Sequence, residues 1–547
     1  MPEYLAPGVY VEEVSTGTRP IEGVSTSTAG MVGQTERGPT VPRLVTSWED
    51  YYRWFGGYVD FNLPPGQAVH QFLPYAVRGF FDNGGQRLFV ARITPPGAIP
   101  ASGDIGNATI ATAIGPGTWG NNIFVSIRPA SLQGAAGSPT ADWFRLTLIY
   151  YRDPNDVPDP DPTSAANIGN PNLNEPDVLE DFDNLSLVST DTNFAQTVVN
   201  SSSRLITLNM DNTGGRPPDV PFGPNAIRLA GGAPANGEPT EVEYQGAPAN
   251  PAQPLLGMTG LLGLSAIRDI SLLAVPDEVS LDDQGVAALR SSILIQCETL
   301  KDRFAIMSAT NAVQDGPIAN IRPPQDSTYG AFYLPWVRVS ARHTAEGHLL
   351  VPPTGHIAGI YARVDVERGV HKAPANEVVR GIITTDLSGE KRPLKHLLGK
   401  REQDLLNPRG VNVICDFRPD GRGIRVWGAR TMSSDPMWKY INVRRLFIFV
   451  EQSIDSGTQW SVFEPNYEST WAAIRLSITA FLRTVWRNGA LAGVTQDEAF
   501  FVKCDRTTMT QDDWDNGRLI CLIGIAPVKP AEFVIFRISQ KTVEAVQ

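Results

Sequence analysis

The stretch Ile270-Ser271-Leu272-Leu273-Ala274-Val275-Pro276 is an almost unbroken apolar run that ends at a proline, which predicts a buried strand. Residues 286–302 follow with apolar side chains at helical spacing, and Phe304-Ala305-Ile306-Met307 is a second short apolar run. Parallel strands need a crossover connection, which is usually a helix. The strand–helix–strand order therefore predicts a parallel sheet covered by helices.

A second α/β segment lies near the start of the chain. Residues 29–33 and 87–93 are predicted strands, and Ser47 precedes Trp48, Glu49 and Asp50 as a helix N-cap followed by acidic residues would. Residues 67–81 carry apolar side chains at helical spacing. We therefore expect residues 31–95 and 255–390 to form one central α/β domain.

The composition changes between these two segments. Pro, Gly, Asn and Asp become frequent, and residues 153–162 form an acidic, proline-rich loop that neither a helix nor a ladder can accommodate. Short apolar runs at 123–127, 144–150 and 204–208 predict strands between turns. Residues 96–254 are thus predicted to be an inserted, β-rich outer domain.

Residues 391–530 are predicted to be a compact C-terminal α+β domain. Its expected strands cover 410–417, 424–429 and 500–504, and its expected helices cover 444–454 and 467–488. The fold class is therefore a multidomain chain that combines α/β and α+β parts.

Both ends of the chain are predicted to be extended. Residues 9–14 and 532–539 have the pattern of short strands, and neither has an obvious partner nearby in sequence. Residues 1–30 and 531–547 are therefore either loose tails or arms that pair with another molecule. Composition alone favours a loose tail for the first 30 residues.

Bulk composition narrows the class of protein. The 547 residues are 42% apolar and 19% charged, which is a globular balance, and the net charge is −12 with a pI near 5.1. Acidic chains rarely have nucleic acid or anionic membrane as their main partner, because those surfaces repel them. Neither a signal peptide nor an apolar run of membrane-spanning length is present, so we expect synthesis in the cytoplasm.

The sequence carries few signs of catalysis. It has no phosphate-binding Walker sequence, no GxSxG and no HExxH. His343, His348 and His356 lie close together, which leaves a metal site open, but prolines and a glycine break any regular face between them. We predict no catalytic residue, no metal site and no cofactor.

The four cysteines, Cys297, Cys415, Cys504 and Cys521, are scattered in apolar stretches without a CxxC pair. They are interpreted as buried thiols in a protein that folds in a reducing compartment.

The predicted helix at 467–488 carries Arg475, Arg483 and Arg487, of which the last two are one turn apart. Two interpretations stay open. The arginines are a solvated face, or they form a basic strip that contacts an acidic partner.

Several short motifs resemble those of contractile phage tail sheath proteins. The N-terminal match is Ala6-Pro7-Gly8-Val9-Tyr10-Val11-Glu12-Glu13, and Gly117-Thr118-Trp119-Gly120-Asn121 is similar to a turn of that family. The closer matches all lie in the second half of the chain: Pro352-Pro353-Thr354-Gly355-His356-Ile357-Ala358-Gly359-Ile360-Tyr361-Ala362-Arg363, Gly369-Val370-His371-Lys372-Ala373-Pro374-Ala375-Asn376, Asn407-Pro408-Arg409-Gly410-Val411-Asn412, Arg425-Val426-Trp427-Gly428-Ala429-Arg430-Thr431 and residues 440–449.

The resemblance implies a structural subunit that stacks as six-membered rings around an inner tube and contracts from a metastable state, without nucleotide. It also implies that the terminal arms add strands to neighbouring subunits, which reverses the preference for a loose tail. The implied arm residues are Val9, Tyr10, Val11, Val14, Phe533, Ile535 and Ile538.

The implied partners are other copies of the chain, the tube protein, the baseplate and the tail terminator, with no nucleic acid and no direct membrane insertion. The particle is a phage tail or a phage-like injection system assembled in a bacterial cytoplasm. Arg475, Arg483 and Arg487 are the hypothetical tube-facing residues. A baseplate or other particle component and an α/β hydrolase are the alternatives.

Overall fold

A computed structural model describes most of the chain, as two compact units. The described residues are 19–58, 71–132, 134, 140–210, 215–223, 226–233, 238–249, 257–341, 344, 346–385 and 400–537. The larger unit contains the described residues of 27–363 and 375–434, and the smaller contains those of 19–26, 364–374 and 435–537.

The strands of the described residues, in chain order, are β1 Thr28–Gln34, β2 Arg43–Val45, β3 Arg87–Ile93, β4 Ser102–Asp104, β5 Thr109–Ala113, β6 Ile123–Pro129, β7 Phe144–Tyr150, β8 Val178–Leu185, β9 Ile206–Met210, β10 Ile227–Arg228, β11 Leu272–Ala274, β12 Phe304–Ser308, β13 Gly330–Leu334, β14 Val337–Ser340, β15 His348–Val351, β16 Thr384–Thr385, β17 Val411–Asp416, β18 Ile424–Val426, β19 Phe500–Lys503 and β20 Leu522–Ile525.

The α-helices are α1 Trp48–Phe55, α2 Leu73–Asp82, α3 Ala195–Ser202, α4 Glu241–Gln245, α5 Gly260–Ser265, α6 Asp283–Leu300, α7 Asn311–Asp315, α8 Thr354–Arg368, α9 Lys400–Leu406, α10 Ile441–Thr458, α11 Glu468–Arg487, α12 Gln496–Ala499 and α13 Gln511–Asp515.

The larger unit is built on an eight-stranded sheet with the order β18-β17-β13-β12-β11-β1-β3-β2. The six inner strands are parallel, and both edge strands are antiparallel to their neighbours. Helix α6 connects the parallel neighbours β11 and β12, in which Leu273 lies opposite Ala305. The strand–helix–strand prediction is confirmed, and β1 and β3 join the same sheet as expected.

Strands β17 and β18 lie at one edge of this sheet, although we expected them in the C-terminal domain. The boundary expected at residue 391 falls instead at 435, and 364–374 belong to the smaller unit. The reason is a pairing between strands far apart in sequence. Phe332 of β13 lies opposite Val411 of β17, which local periodicity could not indicate.

Two antiparallel sheets lie between β3 and β11 in the sequence. One has the order β10-β6-β7-β8 and the other β4-β5-β9. Their inner faces share one apolar core, which includes Trp119, Ile127, Leu148 and Ile206. The β-rich character predicted for this segment is confirmed, and it belongs to the same compact unit as the large sheet.

Glycines bring helices α2 and α8 into backbone contact. A Cβ atom on Gly355 would lie 2.2 Å from the carbonyl oxygen of Ala76, and one on Gly359 would lie 2.3 Å from that of Phe80. Larger side chains at these positions would force the helices apart. This packing gives a physical reason for two glycines of the motif at 352–363.

The N-terminus of α2 is capped from a distant segment. Asp277 accepts hydrogen bonds from the backbone N–H groups of Phe72 and Leu73, and from that of Gln34 at 3.0 Å. The helix was expected at 67–81; it begins at Leu73, and residues 67–70 lie outside the described residues. Asp277 is fully buried, and burial raises its pKa to about 7.

The motif at 407–412 and 425–431 lies at the edge of the large sheet that β17 and β18 form. The side chain of Asn412 accepts a hydrogen bond from Arg430 N at 2.8 Å and donates to Arg430 O at 2.8 Å. Arg430 in turn donates to the carbonyl oxygen of Asn407 at 3.0 Å. These residues therefore have a structural role, because they tie the segment at 407–412 to the segment at 425–431.

Candidate assembly surfaces of the C-terminal unit

The core of the smaller unit is formed largely by apolar side chains from α10 and α11. Leu446 and Val450 of α10 share a core with Ile478 and Leu482 of α11 and with Phe500 of β19. Both helices were predicted from periodicity at 444–454 and 467–488, and both are confirmed with longer or similar bounds. Helix α10 of this core also anchors the segments at 19–26 and 528–532.

The N-terminal segment 19–26 is anchored along α10. Val24 N donates to Ser453 Oγ at 3.1 Å, and Arg445 donates to Thr26 O at 2.9 Å. Ile21 packs against Gly457, where a Cβ atom would meet its side chain at 2.7 Å. The segment thus runs along the helix with residue 19 at its C-terminal end. The predicted arm residues Val9, Tyr10, Val11 and Val14 lie outside the described residues.

The C-terminal segment is anchored at the opposite end of α10. Asn442 donates to Val528 O at 3.1 Å, and the Tyr440 hydroxyl donates to Glu532 at 3.2 Å. Lys439 adds an ion pair to Glu532 at 3.4 Å. The segments at 19–26 and 528–532 are therefore anchored towards opposite ends of one helix of 18 residues, which is about 27 Å long.

Beyond Glu532 the chain exposes a continuous apolar segment. Phe533, Val534, Ile535 and Phe536 are between 68% and 83% exposed. We expected a strand at 532–539, but the described residues 531–537 form none, because no neighbouring strand is present to pair with them. The structure therefore leaves Phe533 and Ile535 unburied; Ile538 lies outside the described residues.

Strands β19 and β20 form a two-stranded antiparallel sheet in which Phe501 lies opposite Gly524. Within the described residues, neither strand has a second strand neighbour over its own length, and the isolated bridge between Leu491 and Pro527 pairs only the chain just beyond β20. Phe501 and Leu522 are exposed apolar side chains on it. An isolated two-stranded ribbon with open edges is a template for strand addition.

The three arginines of α11 have different environments. Arg475 donates to the backbone carbonyl of Cys504 at 3.2 Å, and Arg483 donates to the side chain of Gln496 at 3.0 Å. Both tie α11 to neighbouring segments. Arg487 is exposed in the last turn, where a cation complements the helix dipole. Arg475 therefore has a structural role that the sequence did not reveal.

Two of the three histidines that lie close together in sequence are among the described residues, and their environments differ. His356 is fully buried against Gly79, and burial lowers its pKa to about 4. His348 is half-buried at the start of β15, and His343 lies outside the described residues. The part of the chain that the structure describes holds no group of three or more potential metal ligands.

Two close pairs in this unit escaped sequence reasoning. Asp365 and Arg445 form a buried ion pair although 80 positions separate them. Cys504 and Cys521 come together beyond the ends of β19 and β20, as members of one apolar cluster. The only signal for the cysteine pair is the register of β19 and β20. The residue numbers of opposed positions have a constant sum, as those of Lys503 and Leu522 do.

No helix among the described residues combines the length and apolar character that a bilayer crossing requires.

Comparison with protein families identifies the class. Residues 258–432 match the model of the phage tail sheath protein central domain, and residues 433–541 match that of the phage tail sheath C-terminal domain. The junction of the two matches falls close to the boundary between the two compact units at 435. The chain belongs to the contractile tail sheath family.

The curated relatives that the chain matches are also tail sheath proteins. A prophage major tail sheath protein of Pseudomonas aeruginosa is 29% identical over 189 residues, which are 34% of this chain and 45% of the relative. The tail sheath protein of Escherichia phage P2 is 26% identical over 245 residues, which are 44% of this chain and 57% of the relative. The matched regions thus span about half of each relative's length.

Solved structures share the fold over nearly the whole chain. The helical sheath of the anti-feeding prophage in its contracted state aligns with a TM-score of 0.55 at 24% identity, covering 98% of this chain and 100% of that one. The contracted sheath of an extracellular contractile injection system (PVC) aligns with a TM-score of 0.54 at 20% identity, covering 99% of both chains. The fold of the described residues is that of sheath subunits.

Proposed function

We propose that this chain is a structural subunit of a contractile sheath, which polymerises around an inner tube by lending its terminal segments to neighbouring copies. The observation that carries the proposal is the exposed segment Phe533–Phe536 beyond an anchored root, in a unit that also has an open two-stranded sheet. Exposed apolar side chains are unfavourable in water, and burial of each such side chain contributes roughly 1.5–3 kcal/mol.

Strand addition would account for both the exposed apolar segment and the two-stranded sheet. The open edge of β19 or β20 offers unpaired backbone groups, and an extended segment from another copy would satisfy them through main-chain hydrogen bonds. Phe533 and Ile535 would lie on one face of the added strand because side chains alternate along a strand. Each subunit would then carry one segment to donate and one edge to receive it.

The placement of the arm roots suits a sheath that changes its pitch. The two roots lie at opposite ends of α10, so one subunit reaches two separate neighbours. In this proposal, contraction rotates rigid subunits while the terminal segments act as hinges and keep the lattice connected. The extended lattice is metastable and a kinetic barrier holds it, so no nucleotide is consumed.

Within this proposal, α11 faces the tube, and Arg483 and Arg487 attract an acidic tube surface. Arg475 belongs to the same set from the sequence, but its bond to Cys504 O makes it a poor probe of binding. The double variant R483E/R487E tests the contact more cleanly than reversal of all three charges. Sheath polymers should still form, while co-assembly with the tube protein should weaken at low ionic strength.

Electron microscopy of the purified full chain tests the main proposal. We expect long, hollow, helically striated tubes from the wild-type protein. The variant F533D/I535D should stay monomeric in analytical ultracentrifugation while its circular dichroism is unchanged. The matched control I168D/V188D also replaces two exposed apolar side chains, outside the arms, and should polymerise normally. Tubes from F533D/I535D that equal those of the wild type would contradict strand donation.

A baseplate component is the second candidate. A chain of the anti-feeding prophage baseplate aligns with a TM-score of 0.52 at 23% identity and covers 99% of this chain. Such a subunit would form discrete rings in the same experiment and would not elongate into tubes, even when the tube protein is added.

A further inference from the structure

Cys504 directly follows β19 and Cys521 directly precedes β20, so they lie at opposed positions just beyond the paired strands. The register of β19 and β20 pairs Phe500 with Ile525 and Lys503 with Leu522, so the next pair in the same register is Cys504 with Cys521. Directly opposed residues of an antiparallel pair have Cα atoms roughly 4.5–5.5 Å apart. That separation lies within the range of about 4.4–6.8 Å that a disulfide spans.

The surroundings hold the two thiols together. Both lie in an apolar cluster with Trp471, Met509 and Trp514, and Cys521 donates a hydrogen bond to Cys504. Arg475 fixes the backbone at this point by donating to Cys504 O at 3.2 Å. Cys504 is buried, whereas Cys521 is half-exposed and reachable by a small reagent.

We propose that Cys504 and Cys521 form a redox-active dithiol site, which a small disulfide such as oxidised glutathione converts to an intramolecular disulfide. The site would stay reduced during synthesis in a reducing compartment and close once the protein meets an oxidising one. Nothing in the sheath function requires this chemistry.

The contact between the two thiols shifts their pKa values in opposite directions. The hydrogen bond from Cys521 lowers the pKa of Cys504 against the opposing effect of burial, and the positive charge of Arg475 lowers it further. The same hydrogen bond, together with burial, raises the pKa of Cys521, so Cys504 is the more acidic thiol of the pair. Cys297 and Cys415 differ, because burial raises their pKa values to about 12 and about 11.

The steps balance as thiol–disulfide exchange. The Cys504 thiolate accepts the proton of Cys521 as the sulfur of Cys521 attacks one sulfur of the oxidant, forming a mixed disulfide and releasing a glutathione thiolate. That thiolate takes the proton from Cys504. The Cys504 thiolate then attacks the sulfur of Cys521 and releases the second glutathione thiolate. Two protein thiols lose two electrons, and one glutathione disulfide gains them.

The bond would lock the hairpin just beyond its last backbone pairs. In the wild-type protein this hairpin offers the open edges to which a neighbour's strand would add, so oxidation would rigidify the receiving site. This consequence alone rests on the proposed function. The chemistry is independent of it and is measured on the chain whether or not the chain polymerises.

The test incubates the full chain with mixtures of reduced and oxidised glutathione, followed by alkylation of free thiols and mass spectrometry. We expect the wild type to lose two of its four thiols and to yield one peptide pair linked through residues 504 and 521. The variants C504S and C521S should yield no such pair. The matched controls C297S and C415S should yield it as the wild type does.

Thermal unfolding gives a second measurement. Oxidation should raise the melting temperature of the wild type by about 5 °C or more, because the bond restricts the unfolded chain, and should leave C521S unchanged. Four alkylated thiols at every glutathione ratio, or links that join two chains or involve Cys297 or Cys415, would overturn the proposal. Tubes that fail to form while the linked pair appears would count against the proposed function and leave the dithiol site standing.

Discussion

Asp365 and Arg445 form a two-point ion pair inside the C-terminal unit. Arg445 Nη1 donates to Asp365 Oδ1 at 2.9 Å, Nη2 bonds Oδ2, and the two side chains are 1% and 3% exposed. Arg445 also donates to Thr26 O. One guanidinium therefore ties the end of α8, the helix α10 and the root of the N-terminal segment together.

Removing one partner of this pair should destabilise the C-terminal unit strongly. We expect D365N to lower the free energy of unfolding by about 3 kcal/mol, because the buried guanidinium loses its counter-charge. Denaturant unfolding followed by tryptophan fluorescence measures this. The control E367Q changes an exposed carboxylate on the same helix and should have an effect below about 0.5 kcal/mol. Equal stabilities of the two variants would show that the pair does not hold this unit.

A methyl group on Gly359 should destabilise the larger unit. Alanine normally stabilises a helix relative to glycine by about 1 kcal/mol, but here its Cβ would lie 2.3 Å from Phe80 O. We expect G359A to lower the melting temperature by several degrees, by roughly 2 kcal/mol or more in stability. The control G257A places its Cβ at 3.4 Å from the nearest atom, in ordinary contact. A rise in melting temperature for G359A would show that the two helices can separate at no cost.

Stability should depend on pH through His356. Its pKa is about 4 in the folded protein and 6.5 in the reference state, so the unfolded chain binds the proton first on acidification. The contribution is complete above pH 6.5 and is lost as the pH falls to 4. The free energy of unfolding of the wild type minus that of H356L should therefore fall by roughly 3 kcal/mol between pH 7 and pH 4.

The prediction is stated as a difference in unfolding free energy between the wild type and H356L, because the titration of Asp277 changes stability in the opposite direction. Its pKa is raised to about 7 in the folded state, so its contribution diminishes as the pH rises from 3.8 to 7. Urea titrations of the wild type and H356L at five pH values separate the two groups. A constant difference across the series would mean that His356 is protonated, or accessible to water, in the folded protein.

Capping of α2 by Asp277 should be sensitive to the loss of one oxygen. In D277N, one of the two acceptor oxygens becomes a donor amide that faces the N–H of Gln34 or those of Phe72 and Leu73. We expect a loss of about 1–3 kcal/mol at pH 8, where the carboxylate is ionised. D283N replaces an exposed acidic residue in the first turn of α6 and is the matched control. A neutral D277N would indicate that the helix N-terminus is satisfied in another way.

Local patterns predicted the elements whose signals are local. The helix of 467–488 was visible because Trp471, Ile474 and Ile478 repeat at helical spacing, and it forms as Glu468–Arg487. The N-cap at Ser47 was visible as a side chain followed by two acidic residues, and Ser47 accepts from Asp50 N as expected. The strand expected at 532–539 was not found up to residue 537, because a strand exists only with a partner to pair with.

The sequence by itself determined the parallel order of β11 and β12, the β-rich character of the segment between β3 and β11 and the membership of the sheath family, because each depends on short-range periodicity or on contiguous motifs. Only the tertiary structure decided that β17 and β18 extend the large sheet, that Asp365 meets Arg445 and that Cys504 faces Cys521. Such contacts join residues far apart in the chain. Their free energy depends on burial and on which segments pack together. The spacing of residues along the sequence specifies neither of these.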